Sequence, residues 1–297
     1  MISVQDWQAK GRIDKLNGFD VFHLEAGKLT DPTLLLLHGF PTASWDWHSL
    51  WGDLSERYHL IALDFPGFGF SEKPRGHKYS IMEQADTVEA LIRHHKLSAF
   101  HVLAHDYGDT VAQELLARQN EGSGTGQWLS CCLLNGGLFP EQHRALLIQK
   151  LLLSPLGPLI NKLQTRAKFK ASLSSVFGPD TQPSEAEIDA FWSLLNHNDG
   201  LQALPRLINY ITDRRTHKTR WFEALKNTAI PLALINGSSD KVSGKHMVDH
   251  YLKVIGQPAY LAQLGKIGHY PQVEAPKAVL KHYLAFMDSD AVTGQTI

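Results

Sequence analysis

Three residues carry side chains suited to covalent hydrolysis, and each follows a short apolar run. They are Asp106 in Ala104-His105-Asp106-Tyr107-Gly108, Asp240 in Gly237-Ser238-Ser239-Asp240, and His269 in Gly268-His269-Tyr270-Pro271. A carboxylate is ionised at neutral pH and needs no base to activate it as a nucleophile. Its attack on an ester carbonyl gives a reactive anhydride. Its attack on a saturated carbon with a leaving group gives a stable alkyl ester, which must then be hydrolysed. A histidine oriented by a second carboxylate takes the proton from water for that step. These residue types therefore point to Asp106 as nucleophile, His269 as base and Asp240 as the acid that orients it.

Such a trio must be held by rigid elements. Ala104 and Gly108 stand two positions either side of Asp106, where a sharp turn from strand to helix demands small side chains. Thr33–Leu37, His59–Leu63, Phe100–Ala104, Trp128–Leu134, Pro231–Asn236 and Ala259–Leu264 read as strands. Helical patterns near 45–55, 110–119, 245–254 and 276–287 alternate with them, and Ser80 with Glu83 caps a helix to about His94. The alternation predicts an α/β fold with a mostly parallel central sheet covered by helices on both faces. In such sheets the carboxyl ends of the strands line the ligand crevice, which is where the three residues fall. Asn17-Gly18 predicts a hairpin between Trp7–Leu16 and Phe19–Leu24. From 138 to 225 the pattern is helical without a strand. The expected organisation is a core over 1–137 and 226–288, a helical cap over 138–225, and a flexible tail over 289–297.

Nucleophile, acid and histidine occur in the chain order of the α/β-hydrolase fold. Together with His38-Gly39-Phe40-Pro41 and Asp64-Phe65-Pro66-Gly67-Phe68-Gly69-Phe70-Ser71, the three segments resemble the epoxide hydrolase and haloalkane dehalogenase branch of that superfamily. The segments 105–109, Asn135-Gly136-Gly137-Leu138-Phe139-Pro140 and Phe177-Gly178-Pro179 are similar to the mesoderm-specific transcript family. The resemblance implies an anion hole from the backbone N–H groups of Phe40 and Tyr107. It also implies a cap tyrosine, Tyr210, as donor to an epoxide oxygen. No tyrosine between 138 and 209 matches a second such donor. The halide-binding tryptophan and asparagine of dehalogenases are replaced by Tyr107 and Phe40, so an epoxide is favoured over a halide. A haloalkane, an ester or lactone, and a non-catalytic ligand-binding protein of the same fold are the alternatives.

Composition bounds the rest. Lys and Arg total 29 against 30 Asp and Glu, a net charge of −1, which gives no general pull toward nucleic acid. The two cysteines are adjacent, Cys131 and Cys132, and form no disulfide framework. No apolar run approaches the roughly 20 residues of a membrane span. The expectation is a cytoplasmic enzyme with no cofactor and no metal, acting on a small apolar substrate with water; the sequence sets no oligomeric state. His246 and His250 stand four apart but lack a third ligand, and read as a solvated helix face. Arg214, Arg215, Lys218 and Arg220 read as an exposed basic face of the cap. His38 and His105 read as structural supports.

Overall fold

The computed structural model describes residues 2–154 and 156–294. Its strands are β1 (Arg12–Leu16), β2 (Phe19–Ala26), β3 (Thr33–Leu37), β4 (His59–Leu63), β5 (Ala99–His105), β6 (Gln127–Leu134), β7 (Leu232–Gly237) and β8 (Tyr260–Leu264). They form one sheet in the order β1-β2-β4-β3-β5-β6-β7-β8. The β1–β2 and β2–β4 pairs are antiparallel and the other pairs parallel. Leu34 to Leu37 and Leu60 to Leu63 are wholly buried because helices cover both faces. Removing one of these leucine side chains costs about 2–5 kcal/mol.

The N-terminus corrects the sequence expectation. Residues 7–10 belong not to a hairpin strand but to helix α1 (Val4–Lys10), capped where the Ser3 side chain accepts from Asp6 N–H. Trp7 anchors it, fully buried, with its indole N–H donating to Ser44. The helix expected over 45–55 splits into a 3₁₀ turn at Ser44–Trp47 and helix α2 (Trp51–Ser55). Helices α3 (Ile81–His94) and α4 (Tyr107–Asn120) follow β4 and β5.

Between β6 and β7 the chain forms α5 (Leu147–Leu152), α6 (Gly157–Lys162), α7 (Arg166–Ser174), α8 (Glu185–Asn196), α9 (Gly200–Leu207), α10 (Tyr210–Thr216) and α11 (Lys218–Asn227). Helix α11 packs along α4, where Trp221 and Arg220 both donate to Glu114. Helices α12 (Lys245–Val254), α13 (Pro271–Glu274), α14 (Pro276–Met287) and α15 (Asp290–Thr293) complete the chain. The expected tail thus contains a short helix with Val292 packed on the core, and 295–297 lie outside the described residues. No helix among the described residues is long and apolar enough to cross a membrane.

Candidate active site

Strand β5 ends at His105 and α4 begins at Tyr107, leaving Asp106 alone to turn the chain. Its backbone has φ 44° and ψ −96°, a conformation that costs an L-residue about 1–3 kcal/mol. The surroundings impose it. Asp106 N–H donates to Leu134 O at 3.1 Å and Gly108 N–H to His38 O at 2.9 Å. A Cβ at Gly108 would stand 2.3 Å from Leu37 O, so only glycine allows this approach. The strained turn lifts the carboxylate to the carboxyl end of the sheet.

Phe40 N–H donates to Asp106 Oδ2 at 3.2 Å. Tyr270, beside His269, fixes this donor by giving its hydroxyl proton to Phe40 O at 3.0 Å. Tyr107 N–H makes no hydrogen bond to the carboxylate. Its ring turns inward against Phe65, Phe68 and Tyr210.

His269 lies beyond β8 and Asp240 beyond β7. His269 Nδ1 stands 2.7 Å from Asp240 Oδ2, and Nε2 stands 3.7 Å from Asp106 Oδ2. His105 Nε2 lies 2.8 Å from His269 O and supports the loop from below. Asp240 also accepts from Val242 N–H, Ser243 N–H and Oγ, and Asn135 Nδ2 at 2.7–3.0 Å. Asn135 carries no charge itself but holds the acid in place. His38 is likewise a support, its Nε2 accepting from Phe65 N–H at 3.1 Å.

Arg214 departs from the exposed basic face expected for its segment, while Arg215 and Lys218 are exposed as expected. Arg214 is 1% exposed, with its guanidinium 3.3 Å from Asp106 Oδ1 and 2.8 Å from Thr110 Oγ1. A Cβ at Gly137 would collide with the guanidinium, so this glycine makes its berth. Arg220 and Lys218 are also paired, with Glu114 and Glu141. Tyr210, one turn before Arg214 on α10, is buried under the guanidinium at 4.5 Å and beside Phe40 at 5.6 Å. Gln149 Nε2 donates weakly to the Tyr210 hydroxyl at 3.4 Å. His246 and His250 are half-buried rather than solvated, and they lean on the Glu141–Gln142 turn.

The charges are coupled. Burial resists ionisation of Asp106, but His269 and Arg214 outweigh it and hold the carboxyl below its ordinary range. Burial also resists charge on His269, yet Asp240 and Asp106 hold its proton well above the ordinary histidine range. Asp109, in the first turn of α4, is driven the other way, its carboxyl pushed well above the ordinary range by burial and by the Asp106 charge. Burial pushes His143 down to about 3, so it is neutral within the field of Arg214 and Asp106. Sequence reasoning missed Arg214, His143, Asp109 and Tyr270. The i, i+4 spacing from Tyr210 to Arg214 was the available signal for the first.

An apolar cavity opens above His269. Phe40, Leu146, Gln149, Leu173, Leu204 and Tyr270 are among its walls. The cavity reaches His269, so it can hold an apolar molecule and a water beside an oriented imidazole, with the Asp106 carboxylate 3.7 Å behind that ring.

The geometry agrees with comparisons to known proteins. A family model described as alpha/beta hydrolase fold matches residues 32–122. The mesoderm-specific transcript homolog protein of Bos taurus is 42% identical over 296 residues, covering 97% of this chain and 88% of that protein. Haloalkane dehalogenase DbeA from Bradyrhizobium elkani USDA94 superposes with a TM-score of 0.81 at 21% identity, over 96% of this chain and 99% of that one. Epoxide hydrolase CorEH gives 0.76 at 18% identity, over 93% and 98%. The likeness to these two structures is one of fold.

Proposed function

We propose, from the premise that this chain belongs to the mesoderm-specific transcript family of α/β-hydrolases, that it hydrolyses a small apolar compound through an alkyl-enzyme on Asp106. The observation that carries the reading is His269, held by Asp240 at 2.7 Å and standing 3.7 Å from the Asp106 carboxylate. An epoxide is the favoured substrate, because Tyr210 is buried and its hydroxyl meets Gln149 of the cavity wall at 3.4 Å.

In the first step an oxygen of Asp106 bonds to an epoxide carbon. The carbon–oxygen bond breaks, its electron pair stays on the epoxide oxygen, and Tyr210 supplies the proton. Ester formation removes the negative charge of Asp106. His269 then faces one carboxylate instead of two and releases its proton to solvent, so the neutral ring serves as base; it takes a solvent proton back once Asp106 is ionised again. In the second step His269 takes a proton from water and the hydroxide adds to the ester carbonyl, whose oxyanion Phe40 N–H stabilises. Collapse releases the alcohol with the proton from His269, and the new Asp106 carboxyl proton restores Tyr210. The helices between β6 and β7 act as the cap that shuts bulk water out.

His269→Gln separates the steps. It should still be alkylated and fail to turn over, leaving a stable adduct on Asp106 by intact-mass and peptide analysis. A panel of reactive epoxides and haloalkanes identifies the substrate class, with halide release marking a dehalogenase. Absence of any adduct across the panel overturns the mechanism. Oxygen-18 from water entering the Asp106 carboxylate distinguishes it from direct ester or lactone hydrolysis.

One observation favours a second reading. Arg214 occupies Asp106 Oδ1, as it would in a binding protein that keeps the acid paired and never alkylated. In that case Asp106→Ala leaves the biological role intact, whereas a hydrolase loses it.

A further inference from the structure

We propose that His23, His94 and His95 form a binding site for a divalent metal ion, zinc above others. His23 lies on β2, and His94 and His95 close α3. One nitrogen from each ring lies within 4.8 Å of the others. The rings stand edge-on to one another, with centroids 5.1–5.5 Å apart. His23 Nδ1 and His95 Nε2 face each other at 3.3 Å. Two imidazole nitrogens bound to one tetrahedral zinc, each at about 2.0–2.1 Å, stand about 3.4 Å apart.

The far sides of both rings meet carboxylates. His23 Nε2 lies 2.8 Å from Asp14 Oδ2, and His95 Nδ1 lies 3.6 Å from Glu25 Oε2. Arg12 and His59 hold Glu25 in turn, at 2.8 and 3.2 Å. A carboxylate behind a ligating imidazole takes its N–H and turns the other lone pair toward the ion. Asp14 takes the His23 N–H in this way and leaves the Nδ1 lone pair facing His95 Nε2, where a cation can bridge the two rings. The partly exposed His94 supplies the third ligand and an entry side, and Asp14 lies 3.4 Å from its Nε2 as well. An all-imidazole set suits zinc, copper or nickel rather than calcium or magnesium.

Titration of the chelator-treated full chain with zinc by calorimetry should give one ion per chain and a raised Tm. Cobalt in its place should give the visible absorption of a four-coordinate ion. His94→Ala, at an exposed position, should abolish both signals, and Asp14→Asn should weaken binding on the order of 10- to 100-fold. Absence of stoichiometric binding, or binding unchanged by both substitutions, overturns the site.

A different observation carries a second proposal: we infer that α5, α6 and the turn after them dock on an anionic lipid surface. Leu147, Leu156, Leu159 and Leu163 are 60–73% exposed there. From 142 to 179 the sequence holds six lysines and arginines and no acid, in a chain whose net charge is −1. Arg166 and Lys170 of α7 pair with Glu185 and Asp189, but Arg144, Lys150, Lys162 and Lys168 have no acidic partner among the described residues. Exposed leucines ringed by unpaired cations suit the boundary of an anionic bilayer, not water. A groove on this face shares Leu146, Ile148, Gln164 and Ser172 with the cavity above His269. The docking face and the cavity therefore share a wall made of these side chains.

The full chain should co-sediment with vesicles of equal parts phosphatidylcholine and phosphatidylglycerol, and much less with phosphatidylcholine alone. Leu159→Asp with Leu163→Asp should abolish binding. Asp106→Asn should retain it, because docking does not depend on the chemistry at that carboxylate. Equal binding to both vesicles, none to either, or a dimer in solution that the leucine substitutions dissolve, overturns the proposal.

Discussion

The site draws on two regions that hold their side chains in different ways. Asp106, Asp240 and His269 stand at the ends of core strands, each fixed by several short bonds. Asp240 alone accepts from Val242, Ser243, Asn135 and His269. Tyr210 and Gln149 come from the helices between β6 and β7, and one 3.4 Å contact joins them. Strand ends give fixed geometry, whereas helices of an insertion can shift as units. In the proposed mechanism the core makes and breaks bonds and the insertion chooses the substrate. Arg214 bridges the two, standing on α10 and paired with the core carboxylate.

Substitutions test that division. Asp240→Asn strikes the rigid region and should lower kcat on the order of 10⁴-fold, since His269 loses its orienting charge. Steady-state kinetics on the substrate found by adduct trapping checks this. Tyr210→Phe strikes the adaptable region and should lower turnover of an epoxide by about 10²-fold while sparing a haloalkane, which needs no proton. A loss as large as that of Asp240→Asn would break the division.

Arg214→Met should cross the boundary. Leaving Asp106 buried without its cation should cost about 3–5 kcal/mol of stability by chemical denaturation. The sign with pH follows from the lowered Asp106 carboxyl. Its pairing stabilises the fold above the ordinary carboxylate range, and that contribution fades as pH falls through the depressed native value. The variant should therefore show a shallower acid limb as well as a lower plateau.

The mildest test lies in the core, away from the chemistry. Burial lowers His101 to about 4, so the unfolded chain binds its proton first as pH falls from about 6.5. Stability contributed by the neutral ring is present above that range and is lost on going down to about 4. His101→Gln should flatten this part of the stability profile and leave kcat unchanged.

The linear pattern made most of the core legible. Short apolar runs bounded by glycine mark strands, and a small residue on each side of Asp106 marks its turn. What it concealed depended on partners distant in sequence. Four cations close together look like a solvated face until α10 turns Arg214 inward with Tyr210, four residues earlier. Trp7 read as a strand residue because its partner, Ser44, lies 37 positions away. His23 gave no sign of meeting His94 and His95, because β2 and α3 come together only in the folded chain.

Arg214 also gives the insertion a second meaning. Its berth beside Gly137 lies just past the end of β6, where the chain leaves the sheet, and its counter-ion is the Asp106 carboxylate. Lifting the helices away must pull two opposite charges apart inside a dry interior. One ion pair thus fastens the helices between β6 and β7 to Asp106, and parting them would leave that carboxylate without its cation.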